Sequence, residues 1–183
     1  MASIITHVAI PLSMRLAAGK SKISGPLLFW AMTASILPDF DVIGFKLGIP
    51  YASPFGHRGF THSILFAGFI ALTGMLFHQY LKAAKRTVLL TLFFSVLSHA
   101  LLDALTNGGL GVALFWPLSN ARLFFSWTPI EVSPIGISRF ISERGLAVLW
   151  SEVKVVWLPL MLVGISSNLI RRSRGVKKNT RKK

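Results

Sequence analysis

Two long apolar runs constrain the fold of this chain more than any other feature of its sequence. Residues 62–81 contain no acidic or basic side chain apart from histidine, and residues 87–106 are interrupted only by His99 and Asp103. A helix of about 20 apolar residues crosses the ~30 Å hydrocarbon core of a bilayer. Both runs therefore predict transmembrane helices, and the fold class that we predict is an all-α membrane protein.

The overall composition agrees with this class. Of the 183 residues, 52% are hydrophobic and only 14% are charged, and the mean hydropathy of +0.61 is too high for a soluble domain. The absence of cysteine excludes disulfides and thiolate metal ligands, so that any metal must bind to His, Asp, Glu or water. The net charge of +14 is best explained by loops held on the cytoplasmic side, and nucleic acid is not expected as a partner.

We predict one membrane domain over residues 1–170, built as a bundle of four to five transmembrane helices. The helices are expected at about 4–18, 24–38, 62–81, 87–106 and 146–170. The first is predicted to be short or kinked because Pro11 lies inside it, and the second to end at Leu37, before Pro38. An extended turn would then carry Asp39 and Asp41. Thr61 is a suitable N-cap for the third helix.

Two further segments differ from the helices in composition. Residues 110–145 resemble short extended stretches separated by Pro and Asn, and they include Trp116 and Trp127. Because Trp is favoured at the headgroup level, we predict a small irregular or β-like periplasmic cap. Residues 171–183 are expected to form a basic, disordered cytoplasmic tail.

The distribution of basic residues predicts the orientation of the chain. Segments 15–22, 82–86 and 171–183 hold 3, 3 and 8 of the 20 Lys and Arg residues, whereas all 6 acidic residues lie in other segments. Cytoplasmic loops of multi-pass proteins are enriched in Lys and Arg. We therefore expect a multi-pass protein of the cell membrane whose C-terminus is cytoplasmic.

This orientation brings several polar residues to one level near the outer face. An Asp at the bilayer centre costs roughly 2.5–3.5 kcal/mol on insertion scales, so a group of such residues at one depth needs a shared partner. A divalent cation is such a partner. The predicted metal ligands are His7, Asp39, Asp41, His57, His62, His99 and Asp103.

The chemistry of these residues limits which metals could bind and suggests roles for individual side chains. Imidazole and carboxylate ligands without thiolate suit zinc, with manganese or iron as alternatives, and the number of ligands would allow one or two ions. Arg58 is a candidate catalytic residue that would hold a phosphate or carboxylate, and Asp41 would accept a proton if it is not a ligand. Purely structural roles remain open: Asp39 and Asp41 as turn caps, and His7 in the headgroup region.

Several short motifs resemble those of a known family. They are Leu37-Pro38-Asp39-Phe40-Asp41, the block from Gly56 to Ser63, Ser98-His99 with Asp103 and Thr106, Phe115-Trp116-Pro117, and the early Thr6-His7. Together they resemble the YdjM/YbcI-like family of bacterial inner-membrane proteins, described as membrane-bound, metal-dependent hydrolases. The resemblance implies hydrolysis but no defined substrate.

The function predicted from the sequence is therefore a membrane-bound metal-dependent hydrolase with its site near the periplasmic face. A site at headgroup depth suggests a phosphoester or lipid-derived substrate, with membrane lipid as the expected partner. The alternative is a non-catalytic metal-binding membrane protein or a transporter. Transport is disfavoured because the middle of residues 62–81 offers almost no polar groups.

Overall fold

The computed structural model describes residues 1–180, with the side chains of all of these except residues 137 and 174–180. Its α-helices are α1 (Ile4–His7), α2 (Ala9–Ala18), α3 (Gly25–Ile36), α4 (Ile43–Lys46), α5 (Ile64–Leu76), α6 (Lys85–Ala104), α7 (Ile137–Phe140), α8 (Glu143–Glu152) and α9 (Leu158–Thr180). Two 3₁₀ helices, Leu37–Val42 and Phe60–His62, and a π-helical segment, Val153–Trp157, complete the elements. The prediction of a mainly helical protein is confirmed.

The region between α6 and α7 is irregular. Within residues 1–180 its only β-type pairings are two isolated bridges, Thr106 with Ile130 and Val112 with Leu123, and no strand forms there. The predicted β-like cap is therefore not confirmed. Backbone hydrogen bonds instead tie this region to the helix ends: Ile64 N–H donates to Leu114 O, and Phe125 N–H donates to Ala104 O, both at 3.0 Å.

Three helical stretches in the described residues are long and apolar enough to cross a membrane. They are Gly25–Lys46, Lys85–Ala104 and Glu143–Ser173. The predicted total of four to five transmembrane helices is not confirmed. The prediction for residues 62–81 is wrong in length, since α5 has 13 residues and is therefore only about 20 Å long. The apolar run continues after Leu76, but it folds into turns that end with Lys82 at a φ of 51°.

The second predicted helix ends as expected, since α3 ends at Ile36 with Leu37 as its C-cap, but two other local expectations at helix ends are not met. Leu37 keeps helical dihedrals, and α3 continues directly into the 3₁₀ helix, so Asp39 and Asp41 do not lie on an extended turn. Pro38 is the second residue of that 3₁₀ helix. The N-cap of α5 is Ser63, whose hydroxyl accepts from Phe66 N–H at 3.0 Å, because the Thr61 hydroxyl is used elsewhere.

Helix α6 occupies the centre and packs against α3 on one side and α5 on another, while α2 packs against α9. Small residues line these contacts, since Ala31 of α3 and Ala67 and Ala71 of α5 are fully buried. Small side chains let transmembrane helices approach closely. We call this packed region the apolar core: Ile23, Leu27, Ala31, Ala34, Ala67, Ala71, Leu81, Val88, Leu92 and Val96.

The last helical stretch is longer than predicted. It begins at Glu143 rather than at 146, and α9 continues to Thr180. The expectation of a disordered tail is therefore wrong for residues 171–180, and residues 181–183 lie outside the described residues. The π-helical segment inserts one extra residue per turn directly after Glu152, and such segments are frequent at functional sites.

Candidate metal centre

The loop before α5 has a conformation that requires glycine at two positions. A Cβ on Gly56 would overlap Pro50 O, and one on Gly59 would overlap Pro54 O, so both positions require glycine. Between them Arg58 adopts a φ of 63°, which is uncommon for a residue other than glycine. Such backbone strain persists only where the surroundings fix it, and it is often found at functional sites.

Arg122 holds this loop from outside. Its guanidinium donates to the carbonyl oxygens of His57 at 2.8 Å, Ser53 at 2.9 Å and Tyr51 at 3.1 Å. Partial burial lowers the pKa of Arg122, while Tyr51 and Asp41 oppose that shift. The irregular region after α6, which carries Arg122, thus fixes the position of the histidine loop.

Five buried side chains from four parts of the chain meet above the apolar core. We call them the His/Asp cluster: His7 of α1, Asp39 of the first 3₁₀ helix, His62 of the second, and His99 and Asp103 of α6. His99 Nε2 lies 3.3 Å from Asp39 Oδ1, and His62 Nε2 lies 3.6 Å from Asp103 Oδ2. His7 Nε2 lies 3.6 Å from Asp103 Oδ1 and 3.7 Å from Asp39 Oδ2.

The hydrogen-bond partners of two histidines assign their tautomers. His99 Nδ1 must carry a proton, because its partner at 2.8 Å is the carbonyl oxygen of Ser35. His62 Nδ1 lies 3.0 Å from the Thr61 hydroxyl, whose own proton goes to Asp41, so this Nδ1 also donates. Both Nε2 atoms are then free, and they face each other at 3.0 Å. Two nitrogen lone pairs repel at this distance unless they share a cation, either a proton or a metal ion.

Several atoms of the cluster lack the partners that buried polar atoms normally have. Within the described residues, both ring nitrogens of His7, both carboxylate oxygens of Asp39 and one oxygen of Asp103 are buried without a hydrogen bond. Such orphaned atoms are rare in folded proteins and point to an additional ion or ligand. The set Asp39, His62, His99 and Asp103 can offer one atom each, all within 4.8 Å of one another. These residues therefore fit a metal ion.

Asp41 and His57 form a second group beside the cluster. Asp41 Oδ1 lies 2.6 Å from His57 Nδ1, and Asp41 Oδ2 accepts from the Thr61 hydroxyl at 2.7 Å and from Arg58 N–H at 3.1 Å. The group is linked to the cluster through His62, whose Nδ1 is 3.4 Å from Asp41 Oδ2. Asp41, His57 and His62 also satisfy the spacing of a metal-binding group.

Arg58 is fully buried and its guanidinium is engaged by the protein. Its Nε lies 3.0 Å from Asp103 Oδ2, and its terminal nitrogens donate to the Thr106 hydroxyl and to Gly108 O, both at 3.0 Å. These contacts orient Asp103, and they leave less of the guanidinium for an anion than the sequence suggested. Its catalytic role stays a prediction.

Glu152, which the sequence favours as an interfacial residue beside Lys154 rather than a catalytic one, is a further functional candidate. It is fully buried, and it accepts hydrogen bonds from Ser3 N–H at 2.5 Å, the Ser3 hydroxyl at 2.6 Å and the Thr6 hydroxyl at 2.9 Å. Trp157 Nε1 also donates to the Thr6 hydroxyl at 2.9 Å. This Glu152 latch fixes α1 and thereby His7.

All seven predicted ligands therefore lie together, five in the His/Asp cluster and two adjoining it. His78, the remaining histidine of the sequence, lies in the turns after α5, at the opposite end of that helix from His62. Whether the seven residues hold a metal remains a prediction. The fold and the cluster together define a helical membrane protein with a buried group of histidines and aspartates.

Comparisons with known proteins give the family. The sequence model of the YdjM inner membrane protein family matches residues 1–174, and the chain belongs to that family. It is 43% identical to inner membrane protein YbcI of Escherichia coli (strain K12) over 164 residues, which cover 89% of this chain and 95% of that protein. It is 36% identical to inner membrane protein YdjM of the same organism over 144 residues, 70% of this chain and 64% of that protein. No solved structure matches.

Proposed function

We propose that this chain is a membrane-bound, metal-dependent hydrolase whose His/Asp cluster holds a divalent cation, with zinc as the favoured metal. The observation that carries the proposal is the pair of free Nε2 atoms of His62 and His99, 3.0 Å apart, beside the unpartnered carboxylate of Asp39. Imidazole and carboxylate together suit zinc, and also manganese and iron.

The ligands would be His62, His99, Asp39 and Asp103, with His7 as a fifth. Metal-binding histidines usually donate their second ring nitrogen to a carbonyl or carboxylate, which fixes the orientation of the ring. Ser35 O accepts from His99 Nδ1 in this way. The Thr61 hydroxyl, together with Asp41, accepts from His62 Nδ1. A second ion, if present, would bind at Asp41 and His57.

When bound, the cation supplies a water molecule whose pKa is lowered towards ~7. His57 is suited to accept the proton of the attacking water, because Asp41 fixes its Nδ1 at 2.6 Å and leaves Nε2 as the acceptor. Asp41 then acts through His57 rather than as the direct proton acceptor. Arg58 keeps Asp103 in place. The water oxygen would bond to the ester centre as the ester bond breaks, and the leaving group would take the proton that His57 had accepted.

The substrate class follows from the location of the site. The family consists of inner membrane proteins, and the cluster lies at the end of α6 remote from Lys85 and Arg86. By the positive-inside rule, the basic segments would put that Lys/Arg-bearing end and the C-terminus in the cytoplasm. The site would then lie on the periplasmic side at headgroup depth, where a phosphoester or a lipid-derived ester is the expected substrate.

Metal analysis of the detergent-purified protein tests the proposal. We expect one to two equivalents of metal per chain in the wild type and in His78→Ala, which removes a histidine remote from the cluster. His62→Ala and His99→Ala should each lose the metal and the hydrolysis of a phosphodiester such as bis(4-nitrophenyl) phosphate. Equal metal in His62→Ala and the wild type would exclude the cluster as the site.

The alternative is a metal-binding protein without catalysis, or a transporter. A transport path needs polar groups along its length. Below the cluster, the buried Ser95 and Ser98 hydroxyls donate to carbonyls of their own helix, Thr91 O and Ser95 O, and line no such path. Metal uptake into proteoliposomes without ester hydrolysis would favour transport instead.

A further inference from the structure

A cavity of about 310 Å³ lies beside α1, between that helix and residues 133–140. Most of its wall is apolar, formed by Ile4, Ile5, Val42, Ile135 and Phe140, and one of its few polar residues is Asp39. Ligand pockets in proteins begin at about 300 Å³, so the space suits a small group or a single chain rather than a whole lipid.

Asp39 connects the cavity with the His/Asp cluster. Asp39 is one of the residues that line the cavity, its side chain is almost fully buried, and both of its carboxylate oxygens lack a hydrogen bond among the described residues. The same carboxylate lies 3.3 Å from His99 and 3.7 Å from His7. A molecule in the cavity would therefore contact a residue that belongs to the cluster.

The cavity borders a strongly apolar outer surface. Ile4 is 54% exposed, Ile5 52% and Ile135 43%, although all three also line the cavity. Exposed apolar surface beside a pocket is typical of a site that contacts a membrane or a ligand. In a family of inner membrane proteins, the surrounding apolar medium at such a surface is lipid hydrocarbon.

We propose that this cavity binds one hydrocarbon chain of a membrane lipid and holds the polar ester group of that lipid beside Asp39. The inference rests on the proposed hydrolase function and assigns its substrate class, a long-chain lipid ester or phosphoester. The two other cavities described have no cluster residue in their walls. One lies between α3, α5 and α6, and the other lies beside Phe60 and Trp116.

Photocrosslinking tests the binding step without requiring activity. The probe is a long-chain fatty acid with a mid-chain diazirine, added to the protein in phosphatidylcholine nanodiscs. We expect crosslinks to α1 and to residues 133–140, reduced at least fivefold by Ile5→Trp or Ile135→Trp, which fill the cavity. The control Leu72→Trp, on an exposed face of α5, should leave them unchanged. Crosslinks confined to α5 and α9, or insensitive to both cavity variants, would overturn the proposal.

Chain-length dependence tests the link to hydrolysis. For 4-nitrophenyl alkyl phosphodiesters with two to ten carbons, kcat/KM should rise about fourfold per added methylene over the first several carbons. Ile5→Trp and Ile135→Trp should lose this rise, whereas the control Leu72→Trp should keep it. Hydrolysis without chain-length dependence would overturn this inference and leave the hydrolase intact. Crosslinks in the cavity without hydrolysis of any substrate would instead reject the hydrolase.

Discussion

Helix α6 passes through two regions that are organised differently. Its first part lies in the apolar core, where Val88, Leu92 and Val96 contact other apolar side chains. Its last turns carry His99 and Asp103 into the His/Asp cluster, where polar atoms lie within 3–4 Å of specific groups on other elements. Packing of apolar side chains holds the first region together, whereas specific polar contacts hold the second.

This contrast explains how a small membrane protein obtains a unique arrangement. Lipid is as apolar as the core, so helix association in a membrane depends on close packing and on polar contacts. The apolar core supplies close contact through residues such as Ala67 and Ala71, but such contacts allow sliding by a turn. The cluster does not allow such sliding, because each buried polar group that loses its partner costs several kcal/mol. We therefore expect the cluster to set the register of the bundle.

The largest loss of unfolding free energy is expected for a substitution in the His/Asp cluster. Asp103→Ala removes the partner of the buried Arg58, and breaking a buried pair in this way costs about 3–5 kcal/mol. The control Glu131→Ala breaks the exposed pair with Arg144, at 3.4 Å, and should cost about 0–1 kcal/mol. Unfolding in detergent, followed by circular dichroism, measures both. Equal, small losses would show that Asp103 does not organise the bundle.

An intermediate effect is expected at the Glu152 latch. Glu152→Ala leaves the Ser3 amide and hydroxyl without an acceptor, and a buried donor without a partner costs about 1–3 kcal/mol. Metal affinity should fall because His7 is no longer held, and Glu152→Gln should restore part of both losses. The exposed Glu143→Ala serves as the control.

A double-mutant cycle separates the two roles of the latch. If Glu152 acts on the metal through His7, the losses of metal affinity in Glu152→Ala and His7→Ala should not add in the double variant. Fully additive losses would contradict that link.

The smallest effect is expected in the apolar core. A Cβ on Gly74 would overlap Leu92 Cδ1, the end of a flexible side chain, so Gly74→Ala should cost only the lower part of the ~1–3 kcal/mol typical of overpacking. Gly68→Ala, where a Cβ meets nothing within 4 Å, is the matched control. Metal content per folded chain should stay at the wild-type value in both. Loss of metal in Gly74→Ala would show that the two regions are coupled.

The convergence of the histidines and aspartates was predictable because helices fix the level of each residue. A rise of about 1.5 Å per residue places His99 and Asp103 near one end of α6, and the motif around His62 ends where α5 begins. The Ser35 carbonyl that orients His99 was not predictable, since every residue has a carbonyl and only packing selects one. The length of α5 was also not predictable, because hydropathy does not detect where an apolar run leaves the helix and forms turns.

The contact of Glu152 with Ser3 joins residues 149 positions apart, which no local pattern reveals. It also imposes an order on biosynthesis. Residues 3–7 leave the ribosome first, but their anchor emerges only after α6 and the whole irregular region have been made. A nascent chain therefore holds an unsecured His7 until the final hydrophobic segment enters the bilayer, and arrested translation products would lack a finished site.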